Sequence, residues 1–512
     1  MQRSRTRNYM AGLLTGYTVT FVTIAVGLWL TPFILRFLSS AEYGINALAS
    51  EVLTWLMIVD LGITPALKVQ VAQQTGSPDR DQLNRLASTT FFTQLGMVGV
   101  LALVGAVLVY FFPVFFHVQP GLQSQVTHFL GLLILGSAIA LATRTFSTIL
   151  VAYQQIHVDN LISLALIVIR TLLIVTLLLY GWKLLSLAVA SLAAIIITSG
   201  LSIIRCYRAV PELSLKFRLT SWETLGKIGN LSVWFTLGGL ALFLINYLDR
   251  TVAARLISLE AVTTLYLTGR VYSLFSGMLS RLSDTARPAM GQLIGQGKLA
   301  DALINGQHLF TLSAGGAMVI ALSLFAGNGS FVPWWVGKVH YGGWLLDMGL
   351  ALNLIVHNWV NPMHTILTAG LIVRPQTICY FIEGILNLIL SIVLTLHFGL
   401  IGVVISTFIA RLLTSCLYIP WLAAKLFKQD YRSFLVNNLR RIVPVLLILM
   451  PVACLARLMG EHFKGVLSFM LPMAITAAIG CILLWLITFD RMLRLKFYNI
   501  LLDIGKVAYK KA

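Results

Sequence analysis

Apolar residues in this chain come in fourteen runs of roughly twenty, separated by short polar breaks, almost from end to end. About twenty residues is the length an α-helix needs to cross ~30 Å of hydrocarbon at ~1.5 Å per residue. No break between the runs is long enough to fold into a soluble domain. The spans are expected at 11–35, 43–67, 87–112, 126–151, 160–180, 184–204, 228–248, 261–281, 308–327, 345–370, 376–396, 400–421, 442–459 and 466–488. The fold class that follows is an all-α polytopic membrane protein. Hydrophobic residues at 58% and charged residues at 11% leave a soluble fold of 512 residues too little polar surface.

The net charge of +19 raises the question of nucleic acid, and the placement of the cations answers it. With the N-terminus in the cytoplasm, twenty-six of the 37 Lys and Arg residues fall on the inner side and seven on the outer side. That asymmetry orients the chain by the positive-inside rule and puts both termini in the cytoplasm. The basic balance therefore reads topology and anionic headgroups, with membrane lipids and no nucleic acid among the partners. Arg3, Arg5 and Arg7 precede an apolar run too long for a signal peptide, so the first span resembles a signal anchor. Five scattered cysteines without a CxxC pair indicate neither a disulfide framework nor a zinc site.

The longest inner break, Arg205 to Lys227, looks like a hinge between halves. A shift of 223 residues lays Tyr43 on Tyr266, Pro65 on Pro288 and Ala66 on Ala289. The match is weak in letters but consistent in position, with chance as the competing explanation. Six spans separate the halves, so the repeat would be parallel, about an axis along the membrane normal. The expected parts are an N-lobe at 1–210, a cytoplasmic linker at 211–227 and a C-lobe at 228–424, the two six-helix lobes surrounding a central cavity. Two further spans at 425–488 stand outside these lobes. A tail at 489–512 reads equally as an interfacial amphipathic helix or a solvated basic segment.

Enzyme motifs are missing. There is no phosphate-cradling Gly-x4-Gly-Lys-Ser/Thr loop and no HExxH. Asp79-Arg80-Asp81 spells a DxD, but in a short loop with no nucleotide-binding domain beside it, so it reads as a solvated loop. Neither enzymatic activity nor a cofactor or metal is expected.

The informative residues are polar groups inside spans, because a charge in hydrocarbon costs a few kcal/mol and must face a partner or a wet cavity. Glu51 lies about 12 Å below the outer end of span two, and Arg270 about 13 Å below that of span eight. The repeat makes these spans equivalent, so both residues are candidates to line one cleft. Arg270 is the leading substrate-binding candidate, since a guanidinium in a low-dielectric cleft binds phosphate oxygens bidentately. Arg170 is mid-span, divided between function and local hydrogen bonding, whereas Arg144 near a span end is expected to snorkel. Glu383 and Arg411 are expected to form a structural ion pair. His357 and His364, with Asn353, Asn358 and Asn361, make span ten polar; proton sensing competes there with hydrogen bonding between helices. Asp60 and Asp284 lie at inner helix ends, as weak gate or hinge candidates that satisfy backbone or pair with Arg80, Arg85 or Arg287.

The segment Leu38-Ser39-Ser40-Ala41-Glu42-Tyr43-Gly44 after span one resembles bacterial oligosaccharide-lipid (Wzx-type) flippases, as does Val59-Asp60-Leu61-Gly62-Ile63-Thr64-Pro65-Ala66. So do Asp249 closing span seven, Tyr266, Arg287-Pro288 and Trp335-Val336-Gly337 in the second half. The whole is similar to the multidrug/oligosaccharidyl-lipid/polysaccharide exporter superfamily. The resemblance implies two lobes around a central cavity, alternating access, and transport of a polyprenyl-pyrophosphate-linked oligosaccharide across the bacterial inner membrane. It adds Arg36 to Arg270 and Arg170 as cavity cations for the pyrophosphate. The coupling and gating candidates are Asp60, Asp249, Asp284 and His357. Partners would be the lipid-linked glycan and the polymerase and assembly proteins of a cell-surface polysaccharide pathway. A multidrug cation antiporter on the same fold is disfavoured, because span one has no carboxylate between Arg7 and Arg36 and Asp249 sits at the outer end of span seven. A lipid II flippase shares the span count and remains the other alternative, and a scaffold for glycan assembly is the non-transport reading.

Overall fold

Lipid offers backbone N–H and C=O groups no partner, so each apolar run must close its hydrogen bonds internally. The computed structural model describes residues 2–60, 62–64, 67, 71, 80–153 and 155–495. Among these the chain is helical with no strands, in fourteen long segments. They are α1 (Gln2–Ile34), α2 (Ser40–Leu56), α3 (Arg80–Phe115), α4 (Pro120–Ala152), α5 (Ile156–Leu179), α6 (Lys183–Ala209) and α7 (Trp222–Leu256). The others are α8 (Leu259–Gly295), α9 (Leu299–Val336), α10 (Trp344–Ala369), α11 (Val373–Phe398), α12 (Leu400–Leu426), α13 (Tyr431–Gly460) and α14 (Leu467–Thr488). Thirteen of the expected spans fall within one helix each, to within a residue; the second, 43–67, runs past the end of α2 at Leu56 into a 3-10 turn at Met57–Asp60. Ten are long and apolar enough to cross a membrane; α8 and α10, which carry buried polar residues, are not in that set. Pro65, Ala66, Asp79 and the tail from 496 onward lie outside the described residues.

The chain divides into two compact units, 1–243 with 257–263, and 244–256 with 264–512. In the first, α4 packs on α3 and chiefly on α6, α5 packs on α6, and α1 lies on α5. The start of α2 explains the Ser39–Gly44 signature physically. The Ser39 N–H and hydroxyl both donate to the Glu42 carboxylate (2.8 and 2.9 Å), and the Glu42 N–H donates back to Ser39 Oγ (3.2 Å). This is a capping box, which satisfies N–H groups the helix cannot. One turn on, a Cβ at Gly44 would come within 2.1 Å of the Leu259 carbonyl, so only glycine fits.

Residues 211–227, expected as a linker, are partly strapped to the first unit. The α3 side chains Asn84, Ser88 and Thr89 bond the backbone of Ser214, Lys216 and Ser221 at 2.8, 3.1 and 3.2 Å. Phe217 packs edge-on against Phe92. The division between units therefore falls inside α7 and not at the polar break.

The last two helices do not stand apart from the second unit either. α13 and α14 pack on α9, the most buried of the ten apolar candidate spans among the described residues. A Cβ at Gly327 of α9 would lie 2.5 Å from the Met473 side chain and 2.7 Å from the Phe469 carbonyl. Close backbone approach of this kind is how helices associate in lipid, where apolar burial between them gains little.

Candidate functional site

Consecutive residues on a helix point about 100° apart. At the end of α7 this sends Asp249 and Arg250 to different neighbours within the second unit. The Asp249 carboxylate accepts from Thr407 Oγ1 of α12 (2.9 Å) and from Asn387 Nδ2 of α11 (3.4 Å). α11 comes this near because residue 384 is glycine, where a Cβ would lie 2.6 Å from Leu244 Cβ. The Arg250 guanidinium instead sits over the Tyr266 ring, its Cζ 4.8 Å from the centroid. Arg270, one turn along α8 from Tyr266, places its own Cζ 5.3 Å from the same ring. Two guanidinium groups thus share one tyrosine through cation–π contact. Arg270 Nε is buried and has no hydrogen-bond partner among the described residues.

Asp249, Arg250 and Tyr266 line a cavity of about 230 Å³, together with Gly269, His357, Thr407 and Arg411; Arg270 is the next residue after Gly269 and is not itself part of that wall. Beside it Arg411 Nε donates to Glu383 Oε1 (3.1 Å), and the carboxylate also accepts from Thr414 Oγ1 (3.2 Å) and the Ser415 hydroxyl. Glu383 and Arg411 are 1% and 8% exposed, so the pair neutralises two charges out of water. On α10, Asn353 Nδ2 donates to the Val404 carbonyl (2.9 Å) and Asn358 Oδ1 accepts from Ser313, while His364 pairs with Gln376. Most of the polarity of span ten is thereby spent between or within helices, leaving His357 at the cavity. The oxygens Asn387 Oδ1 and Asn353 Oδ1 are buried without a partner among the described residues. A carboxylate flanked by a hydroxyl and an orphaned amide oxygen has the chemistry to hold a proton or a hard monovalent cation. No group of three His, Cys, Asp or Glu side chains converges among the described residues.

The second unit therefore gathers Asp249, Arg270, His357, Glu383 and Arg411. Asp284, also in this unit, is exposed on α8 and bonded to Arg287 at 2.6 Å. In the first unit, Arg36 and Arg170 are exposed and Glu51 is buried. Asp60 is buried there among neutral donors: the Thr64 hydroxyl (2.9 Å), the Thr64 N–H (3.3 Å) and Gln94 Nε2 (3.1 Å). Gln94 is fixed in turn by Thr145. Arg80, a possible partner by sequence, pairs with Glu212 instead.

Sequence reasoning missed two clusters. Gln94 and Thr145 are neutral and carry no obvious signal. Asp347 did carry one, as a carboxylate at the start of an apolar span. It accepts from Tyr272 Oη (2.7 Å), Asn328 Nδ2 (2.7 Å), Tyr341 Oη (3.2 Å) and Arg457 Nη1 (2.9 Å). Arg457, near the outer end of span thirteen and counted among the seven outer cations, is 15% exposed and joins α13 to α10 through this carboxylate.

A model of the MatE family matches residues 44–176. Over 437 residues the chain is 20% identical to a Bacillus subtilis (strain 168) protein described as "Uncharacterized membrane protein EpsK", covering 84% of this chain and 85% of that one. An inward-facing multidrug resistance MATE family transporter of the MOP superfamily superposes with a TM-score of 0.65 at 15% identity, over 80% of this chain and 96% of that one. A MOP superfamily transporter from Pyrococcus furiosus Vc1 (DSM3638), described as having a binding pocket of reverse polarity, superposes with a TM-score of 0.59 at 15% identity, over 83% of this chain and 96% of that one. The chain has the fold of these transporters.

Proposed function

We propose that this chain is a transporter that moves a polyprenyl-pyrophosphate-linked oligosaccharide from the cytoplasmic to the outer face of the bacterial inner membrane by alternating access. The observation that carries the reading is the pair Arg250 and Arg270 on Tyr266, a ring of the cavity wall, with Arg270 Nε buried and without a hydrogen-bond partner among the described residues. Guanidinium groups in a low-dielectric pocket bind phosphate oxygens strongly, and a pyrophosphate needs compensating positive charge to cross. The fold shared with MATE transporters supports transport, and the similarity to EpsK, described as a membrane protein, supports a membrane location. Asp249, with Asn387 and Thr407, supplies the coupling carboxylate, so an ion gradient and not ATP drives the cycle. Arg36 and Arg170 supply further positive charge on the first unit.

The test is to deplete the protein from cells and score the sidedness of lipid-linked glycan with a non-permeant probe. Intermediates trapped on the cytoplasmic face support the reading, and their mass names the glycan. Arg270→Ala should abolish transport with the protein still folded and inserted, and Arg270→Lys should retain part, keeping charge but losing the bidentate fork. Normal glycan distribution together with new sensitivity to cationic drugs would overturn it in favour of an antiporter.

A further inference from the structure

Four polar residues recur every fourth position along α11: Glu383, Asn387, Ser391 and Thr395. Spacing of four places them on one helix face, and all four are buried. Other buried helical hydroxyls divide: Thr90, Ser283, Thr311 and Thr365 have no hydrogen-bond partner among the described residues, whereas Thr198 returns to the Ala194 carbonyl four residues back (2.8 Å), Ser323 to Val319 (2.7 Å) and Thr476 to Pro472 (2.8 Å). Ser391 Oγ and Thr395 Oγ1 do not, and like Asn387 Oδ1 they have no hydrogen-bond partner among the described residues. A buried orphan hydroxyl is costly unless water or an ion meets it. Each step of four rises about 6 Å, close to the span of one water bridging two oxygens at ~2.8 Å to each.

The stripe has two unlike ends. Glu383 is closed off by Arg411, Thr414 and Ser415. Thr395 is three residues from the end of α11, where Gly399 (φ +61°) turns the chain into α12, and the charge asymmetry of the sequence assigns that hairpin to the outer face. Between the two ends, Asn387 touches Asp249.

We propose that the Asn387–Ser391–Thr395 face of α11 is a hydrated file through which a monovalent cation reaches Asp249 from the outer side, sealed on the inner side by the Glu383–Arg411 pair. The inference rests on the reading of Asp249 as the coupling carboxylate. The occupant is sodium or a proton relayed by water, since hydroxyl and amide oxygens serve both.

The test uses the full-length protein with its five cysteines replaced, reconstituted in vesicles. Ser391→Cys and Thr395→Cys should react with a small cationic methanethiosulfonate added outside, while Ile392→Cys, on the exposed apolar face, should not. Protection by sodium would identify that ion, and protection only by acidification would identify the proton; either supports the file. In the parent protein, Ser391→Ala with Thr395→Val should raise the half-saturating cation concentration about tenfold, the effect of losing about one hydrogen bond per site. Absent labelling with unchanged cation dependence overturns the file. If Asp249→Asn then removes cation dependence, the coupling reading survives without the file. If Asp249→Asn keeps it, that reading fails and the file falls with it.

Discussion

Replacing Arg457 by methionine should destabilise the second unit by about 3 kcal/mol, more than replacing its partner Asp347 by asparagine. Removing one member of a buried pair costs ~3–5 kcal/mol, because the other charge is left uncompensated. Asp347 is fully buried, but it keeps three neutral donors, Tyr272, Asn328 and Tyr341, which places the loss at the lower end. Asp347→Asn leaves a guanidinium that is 15% exposed, still donates to the Phe325 carbonyl at 2.6 Å and lies 4.7 Å over the Phe325 ring. Its cost should therefore be about 1–2 kcal/mol. The double variant removes both charges and should recover about 2 kcal/mol relative to the sum of the singles, a coupling that a double-mutant cycle resolves. Equilibrium unfolding in mixed micelles measures all four corners. Additivity within about 0.5 kcal/mol, or a larger loss for Asp347→Asn than for Arg457→Met, would refute the argument that the ion pair holds α13 to α10.

Glu42→Ala should cost about 1 kcal/mol, since it opens the capping box at α2, whereas Glu42→Gln should retain most of the stability. Equal melting temperatures for the two variants would remove the cap from the explanation. Asp490, beyond the end of α14, is pushed up by burial, but the Leu493 N–H at 2.8 Å and His308 at 3.3 Å outweigh this and hold its carboxyl below the usual range. A carboxyl depressed on folding contributes stability above its unfolded value of about 3.9 and loses it as pH falls through the folded value. Asp490→Asn should therefore lower stability at neutral pH, by an amount that shrinks below about pH 4. A pH-independent difference in unfolding midpoint would contradict that assignment.

The sequence makes the helices legible because hydrocarbon imposes one length and one hydrogen-bond pattern on every span. The pairing of Glu383 with Arg411 is visible for a related reason: two opposite charges at similar depth in neighbouring spans have little else to meet. The Tyr266 contact is half visible, since Arg270 follows it at i+4, but Arg250 reaches the ring from another helix. The Arg457–Asp347 clamp is hidden because both residues lie near span ends, where composition cannot distinguish a snorkelling cation from one that holds two helices together. The strap of 212–221 onto α3 is hidden for the opposite reason. Asn84, Ser88 and Thr89 look like an ordinary polar helix start, and only the fold brings extended backbone to them.

The charges of the second unit divide by whether they balance. Asp347 with Arg457 and Glu383 with Arg411 are matched one to one and surrounded by donors, and such pairs add little net attraction for a ligand. Around Tyr266 two guanidinium groups, Arg250 and Arg270, meet one ring, and Asp249 and Arg250 both line the cavity wall. A low-dielectric interior tolerates excess charge only where water or a ligand will meet it. Under the proposed function, the guanidinium groups at Tyr266 would meet an anionic cargo and not a cationic drug. On the reading of Asp249 as the coupling carboxylate, loading a proton or cation there would make the local potential more positive. That reading would link cation entry to anion affinity through Asp249 and Arg250, adjacent residues of α7.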